Sequence, residues 1–281
     1  MIENSKLPKC RIIPRLDIKA DSLVKGINLE GLRVLGKPEL FAEKYYEEGA
    51  DEIIYQDVVA SLYGKNTLLE IVERTAKNIF IPLTVGGGIR SINDIIKLLR
   101  AGADKVSINS AAIKNPLFIK QAVETFGSST ISVSVEVNKL NNQYFVFTES
   151  GRNCSNLKVK DWIKQIQSLG AGEIILTSIA KEGLGMGFDI ELIKEIYKDI
   201  NIPLIIHGGA GKINDIENLL INFKFSGVAI SSAFHYHYLK SFEKNIKTSG
   251  NKEFFMGLRD KSEYNSFSLP NLKKIFKKWN K

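Results

Sequence analysis

Apolar runs of strand type recur along the chain near residues 11–17, 53–58, 81–86, 104–108, 131–137, 173–177, 203–207 and 227–231. Between them the apolar positions switch to helical spacing, as in PELFAEKYYEEG (38–49), NTLLEIVERTAKNI (66–79), SINDIIKLLRAG (91–102) and KDWIKQIQSLG (160–170). A period of two marks a strand and a period near 3.6 a helix. The alternation therefore predicts β-then-α units with a parallel sheet.

The pattern is also stated twice. PLTVGGGIRSINDI from Pro82 and PLIIHGGAGKINDI from Pro203 are identical at eight of fourteen positions, 121 residues apart. GADEIIYQDVVAS from Gly49 pairs with GAGEIILTSIAKEG from Gly170, KVSINSA from Lys105 with GVAISSAF from Gly227, and RLDIK around Asp17 with SVEVNK around Glu136. Four units plus four, from a duplicated half, point to a (β/α)8 barrel. A doubly wound open sheet is the competing fold, and it explains the repeat less well. The barrel is expected over residues 1–245, with a C-terminal extension over 246–281.

A barrel places chemistry at the C-terminal ends of its strands. Asp17, Asp57, the glycines at 86–88, Asn109, Glu136, Thr177, Gly208, Gly209 and Ser231 all fall there. In each half the strand ends in glycines before a helix, a junction at which backbone and helical N–H groups can meet a phosphoryl group. Two such cradles with two acids between them suit an elongated ligand phosphorylated at both ends, and the acids suit proton transfer.

Composition narrows the class. The chain has 281 residues, 44% hydrophobic, ample for a core. The start, MIENSKLPKCRIIP, lacks a signal-peptide core, and no run approaches 18 apolar residues, so a soluble cytoplasmic protein without a transmembrane segment is expected. Cys10 and Cys154 are too few and too far apart for a metal knuckle or disulfide scaffold, and no metal or other cofactor is expected. The net charge of +8 is concentrated in the tail, where five lysines lie in the last nine residues. That distribution argues against nucleic-acid binding by the whole domain. Leu272, Ile275, Phe276 and Trp279 recur at helical spacing, predicting a basic amphipathic helix packed on its own domain or a partner, with membrane-surface contact as the alternative.

RIIPRLDIK, LVKG, GADEIIYQDVVAS, PLTVGGGIR, GADKVSINSAA, FGS, GAGEIILTSI and HGGAGK, in this order, resemble the cyclase subunit of imidazole glycerol phosphate synthase, from about Arg11 to about Tyr238. The resemblance implies a lyase of histidine biosynthesis. Ammonia from a glutaminase (HisH-type) subunit in a heterodimer would convert a bisphosphorylated ribulosyl formimino aminoimidazole carboxamide ribotide to imidazole glycerol phosphate and an aminoimidazole carboxamide ribotide. Asp17 and Glu136 take the places of the two catalytic acids, and Lys25 that of a lysine on the mobile first loop. Gly87, Gly88, Asn109 and Ser110 fall on one phosphate site; Gly183, Gly208, Gly209, Ser231 and Ser232 fall on the other, with Thr177 near the reacting centre. Arg11, Glu52, Lys105 and Glu173 match a ring of charges that gates ammonia entry.

Several positions depart from the family pattern. Alternation turns Arg15 inward beside Asp17, and Gln56, Ser132 and Ser134 inward as well, where the family keeps the pore apolar or small. Arg15 needs a counter-charge, and Glu136 or Asp17 could supply it. Such pairing would lower a carboxyl pKa. His207 adds a titratable group by the second cradle, read as a hydrogen-bonded structural histidine before a new acid or base. Ala180, Glu182 and Leu184 alter the sixth loop. These departures motivate an alternative function: a diverged paralogue that, with a glutaminase, supplies ammonia to a sugar amidotransferase making acetamidino groups on surface polysaccharide. A bisphosphate sugar isomerase ranks last.

Overall fold

The computed structural model describes residues 10–59, 68–241 and 266–279. Strand β1 (Arg11–Lys19) leads into an antiparallel hairpin, β2 (Ser22–Ile27) and β3 (Glu30–Gly36), and β4 (Ile53–Asp57), β5 (Leu83–Gly86) and β6 (Lys105–Ile108) complete the first half. The second half repeats this plan, with β7 (Ile131–Leu140), a hairpin of β8 (Gln143–Thr148) and β9 (Asn153–Lys158), then β10 (Glu173–Ser178), β11 (Leu204–His207) and β12 (Gly227–Ile230). The parallel ladder runs β1-β4-β5-β6-β7-β10-β11-β12 and closes where β12 pairs with β1. Closure excludes the open sheet and confirms the (β/α)8 barrel.

The paired hairpins were not legible in the repeat, because their sequences differ while their geometry agrees. Each turns on residues with positive φ, Asn28 and Leu29 in one and Glu149, Ser150 and Gly151 in the other. That backbone matches the right-handed twist of an antiparallel pair.

Helices α1 (Pro38–Glu47), α2 (Leu68–Ala76), α3 (Ile92–Arg100), α4 (Ser110–Lys114), α5 (Leu117–Phe126), α6 (Val159–Ser168), α7 (Ile190–Ile196), α8 (Ile213–Asn222) and α9 (Ser232–Ser241) follow the strands. The first residues of the expected 66–79 helix lie outside the described residues. The repeated INDI motif has a structural reason. Asp94 Oδ2 accepts from Arg90 N at 3.0 Å and Ser91 N at 2.9 Å, and Asp215 Oδ2 accepts from Gly211 N at 3.1 Å and Lys212 N at 2.7 Å. In both halves the aspartate ties the glycine loop to the first turn of its helix.

Residues facing outward from the strands, such as Leu16, Tyr55, Val106 and Val135, join Trp162, Ile166, Leu192 and Leu219 of the helices in the main core. Burying each such side chain is worth about 1.5–3 kcal/mol. Inside the barrel, Ile13, Ile54, Ile175, Ile205 and Ala229 make a separate apolar layer. The last helix, α10 (Leu269–Trp279), buries Leu269, Leu272 and Phe276 in the main core, while Phe267 meets Phe234 edge to face at 5.5 Å. Lys273 Nζ lies 2.9 Å from Asp51 Oδ1. The tail helix thus packs on its own barrel; the side chain of Trp279 lies outside the described residues. No helix among the described residues is long and apolar enough to cross a membrane.

Candidate active site

The floor of the barrel carries a closed ring of charge. Arg11 bridges Glu52 and Glu173, and Lys105 Nζ bridges the same two carboxylates at 2.8 and 3.1 Å. Thr84 Oγ1 donates to Glu52 at 2.6 Å and Ser132 Oγ to Glu173 at 3.4 Å. Two cations and two anions alternate, so each buried glutamate has both of the partners it needs. The sequence placed these four residues at strand starts, and the fold brings all four together.

At the mouth the two acids stand in opposite environments. Asp17 is buried, with Oδ1 accepting from Arg15 Nε at 3.1 Å and Oδ2 from Lys25 Nζ at 3.2 Å. Burial pushes its carboxyl up, but Lys25 and Arg15 together outweigh that cost and hold it well below the ordinary carboxylate range. Lys25 comes from the first hairpin and pairs also with Glu182, whose Oε2 accepts from Leu29 N at 3.2 Å. Asn28 N donates to the carbonyl of Glu182 at 2.9 Å and Asn28 Nδ2 to that of Ile179 at 2.7 Å. Gly183 packs so tightly on the hairpin that a Cβ there would lie 2.6 Å from the Gly26 carbonyl. The hairpin is therefore seated over Asp17 and the sixth loop.

Arg15 takes Asp17 as its counter-charge and not Glu136, which resolves the two possibilities the sequence left open. Its Nη1 also donates to Thr177 Oγ1 at 3.1 Å and to His207 Nδ1 at 3.2 Å. Because arginine only donates, His207 Nδ1 must accept there, which puts the ring proton on Nε2, 3.3 Å from Ser231 Oγ. Burial, then Arg15 and Lys25, hold the His207 imidazole well below its usual range and hence neutral. Ser231 Oγ donates to the Arg15 carbonyl at 2.8 Å, as does His235 Nε2 at 3.0 Å. His235, clamped on its other side by Tyr45 at 2.7 Å, gave no signal in the sequence, where it reads as one of several aromatic positions in AFHYHY.

Glu136 is buried too, but among the described residues its carboxylate has only a backbone donor, Gly151 N, at 3.0 Å from Oε2. Burial pushes its carboxyl up to about 7, against smaller downward pulls from Arg15 and that N–H. It borders a cavity of about 310 Å³ whose wall includes Gly87, Gly88, Asn109, Ser110, Gln56 and Ser107. Asn109 Oδ1 and Ser107 Oγ are buried in that wall without hydrogen-bond partners among the described residues. Glu149 N donates to Ser110 Oγ at 3.2 Å, and Ser150 Oγ to the Val58 carbonyl at 2.8 Å, so the tip of the second hairpin roofs the cavity. Sequence reasoning missed these tip residues. Glu149, Ser150 and Gly151 all have positive φ, a run that the local ESG composition only hints at.

The second cradle, with Gly183, Gly208, Gly209, Ser231 and Ser232, is nearly closed, at about 10 Å³. Its glycines first serve the packing of loop on loop. A Cβ on Gly209 would lie 2.2 Å from the Gly187 carbonyl, and one on Gly87 in the first cradle 2.4 Å from that of Asp57. Ser134 is buried within the barrel, one strand step below Glu136.

A family model described as histidine biosynthesis protein matches residues 11–240. Among curated relatives, the imidazole glycerol phosphate synthase subunit HisF of Legionella pneumophila is 52% identical over 206 residues, 73% of this chain and 97% of that protein. The protein of the same name from Natranaerobius thermophilus is 46% identical over 226 residues, 80% of this chain and 90% of its own length. That of Sulfurisphaera tokodaii is 48% identical over 210 residues, 75% and 84%.

Proposed function

Since the chain belongs to the histidine biosynthesis protein family, we propose that it is the cyclase subunit of imidazole glycerol phosphate synthase, working with a glutaminase subunit that supplies its ammonia. It converts the bisphosphorylated ribulosyl formimino aminoimidazole carboxamide ribotide to imidazole glycerol phosphate and the aminoimidazole carboxamide ribotide. The observation that carries this reading is the pair of acids at the mouth, Asp17 held ionised and Glu136 raised to about 7, between two glycine cradles.

Two carboxyls whose surroundings drive their pKa values apart divide the work of acid and base. Asp17 remains an anion throughout the physiological range and accepts hydrogen bonds or a proton. Glu136 holds its proton near neutrality and delivers it. The cradles at Gly88, Asn109 and Ser110 and at Gly209, Ser231 and Ser232 hold the two phosphoryl ends, with Lys25 returning over the substrate once it is seated. Ammonia enters through the Arg11, Glu52, Lys105 and Glu173 ring, on whose face the glutaminase docks. The test supplies the purified chain with the bisphosphate and ammonium salt, so that no partner is needed. Release of both products supports the reading, and their absence removes it.

One observation favours a second reading. Both oxygens of Asp17 are occupied by cations and the second cradle is shut, an arrangement suited to a barrel that only conducts ammonia to a separate sugar amidotransferase. That reading requires ammonia to leave the complex unconsumed in the presence of the bisphosphate.

A further inference from the structure

Arg15 is the departure that the proton transfers above do not use. Its side chain is 2% exposed and reaches from β1 to Thr177 on β10 and His207 on β11, while its charge is felt at Glu136 on β7. Nε is committed to Asp17 and Nη1 to Thr177 and His207. Nη2 is buried and, among the described residues, meets no acceptor. A native structure rarely leaves a charged donor in that state unless water or a ligand completes it. The guanidinium fork is rigid, so fixing two of its nitrogens also fixes where the third points.

We propose that Arg15 is a catalytic residue whose Nη2 donates to the carbonyl oxygen of the substrate as ammonia adds to the carbonyl carbon. The inference rests on the cyclase reading. The nitrogen lone pair forms the C–N bond and the C=O π pair moves onto oxygen, where the guanidinium stabilises the new charge. Glu136 gives that oxygen its proton and takes one back from the added nitrogen. The hydroxyl then leaves as water with a proton from the same carboxyl, and the C=N bond forms with loss of a nitrogen proton to it. The sum is carbonyl plus ammonia to imine plus water. The guanidinium only donates hydrogen bonds here, so it stabilises the oxygen and supplies no proton. Entry of the substrate requires the first hairpin to leave Glu182, because Lys25 on that hairpin ties both Asp17 and Glu182.

The experiment compares ammonium-driven turnover of the full chain with that of Arg15→Met, Arg15→Lys and Arg15→Ala. Arg15→Met is expected to lose about a hundred- to thousand-fold in kcat, the scale of losing an oxyanion donor, with little change in KM. Arg15→Lys should retain part of the rate, and guanidinium added to Arg15→Ala should restore turnover. A rate for Arg15→Met equal to or above that of the unmodified chain would overturn the proposal and make Arg15 a plug. So would a loss that neither lysine nor guanidinium restores. If the unmodified chain turns over nothing, the cyclase reading fails by itself. Calorimetric binding of the bisphosphate then decides the contact: equal affinity in the unmodified chain and Arg15→Met removes it, and weaker binding in Arg15→Met retains it.

Discussion

The two halves of this barrel share one plan and carry opposite electrostatics. In the first, the acid Asp17 lies under its hairpin between two cations, and the opposed cradle is shut. In the second, the acid Glu136 meets its hairpin through a single backbone N–H and faces an open cavity. Each hairpin reaches across to the other half, the first to Ile179 and Glu182, the second to Val58 and Ser110. Duplication therefore set the geometry, and a few substitutions set the surroundings of each acid. A carboxyl becomes an anion or an acid according to what surrounds it, not according to whether it is Asp or Glu.

The comparison breaks most completely if Asp17 is neutralised. Asp17→Asn should abolish ammonium-driven product formation, a loss of about a thousand-fold or more in a steady-state assay. Glu136→Gln should lower kcat about a hundred-fold, whereas Glu136→Asp should preserve or raise it. An increase in rate with Glu136→Ala would remove its catalytic assignment.

The Lys25–Glu182 pair should matter more for stability than for chemistry. Glu182→Ala strips a buried lysine of one of its two anions, which costs about 3–5 kcal/mol when nothing replaces the partner. Hydrogen exchange should show residues 22–36 losing protection first. Unchanged protection there would mean that the hairpin is held by its backbone contacts alone. Leu272→Ala, on the tail helix, should lower stability to denaturant by about 2–5 kcal/mol, because it empties a site in the main core.

A smaller effect separates the two acids by pH. The folded carboxyl of Glu136 binds its proton more tightly than the same group in the unfolded chain, so its contribution is fully present below about 4.5 and is lost as pH rises through about 7. The loss is worth about 3 kcal/mol at most, and Glu136→Gln should flatten it in a denaturation series. Asp17 has the reverse sign. Its contribution is present at neutral pH and lost only as pH falls into the acid range.

Much of the barrel was legible because its signals are local. Strand runs, helical spacing and glycine junctions each lie within a dozen residues, and the repeat gave the closure. The strand-end residues Asp17, Glu136, Asn109 and Thr177 followed from that frame. Alternation also turned Arg15 inward, but which carboxyl it meets depends on side-chain reach across the pore, and the sequence holds no such distance. The hairpins were missed because positive-φ residues such as Leu29 and Ser150 are imposed by tertiary contacts. His235 was missed because its partners, Tyr45 and the Arg15 carbonyl, lie far away in the chain.

The most direct test of the divided roles is ammonium-driven turnover of the purified chain across pH, at a fixed concentration of neutral ammonia. The account predicts product, a rate that falls as pH rises through about 7 when Glu136 loses its proton, and loss of that limb in Glu136→Gln. A rate that stays level from pH 6 to 9, or the same falling limb in Glu136→Gln, would contradict it.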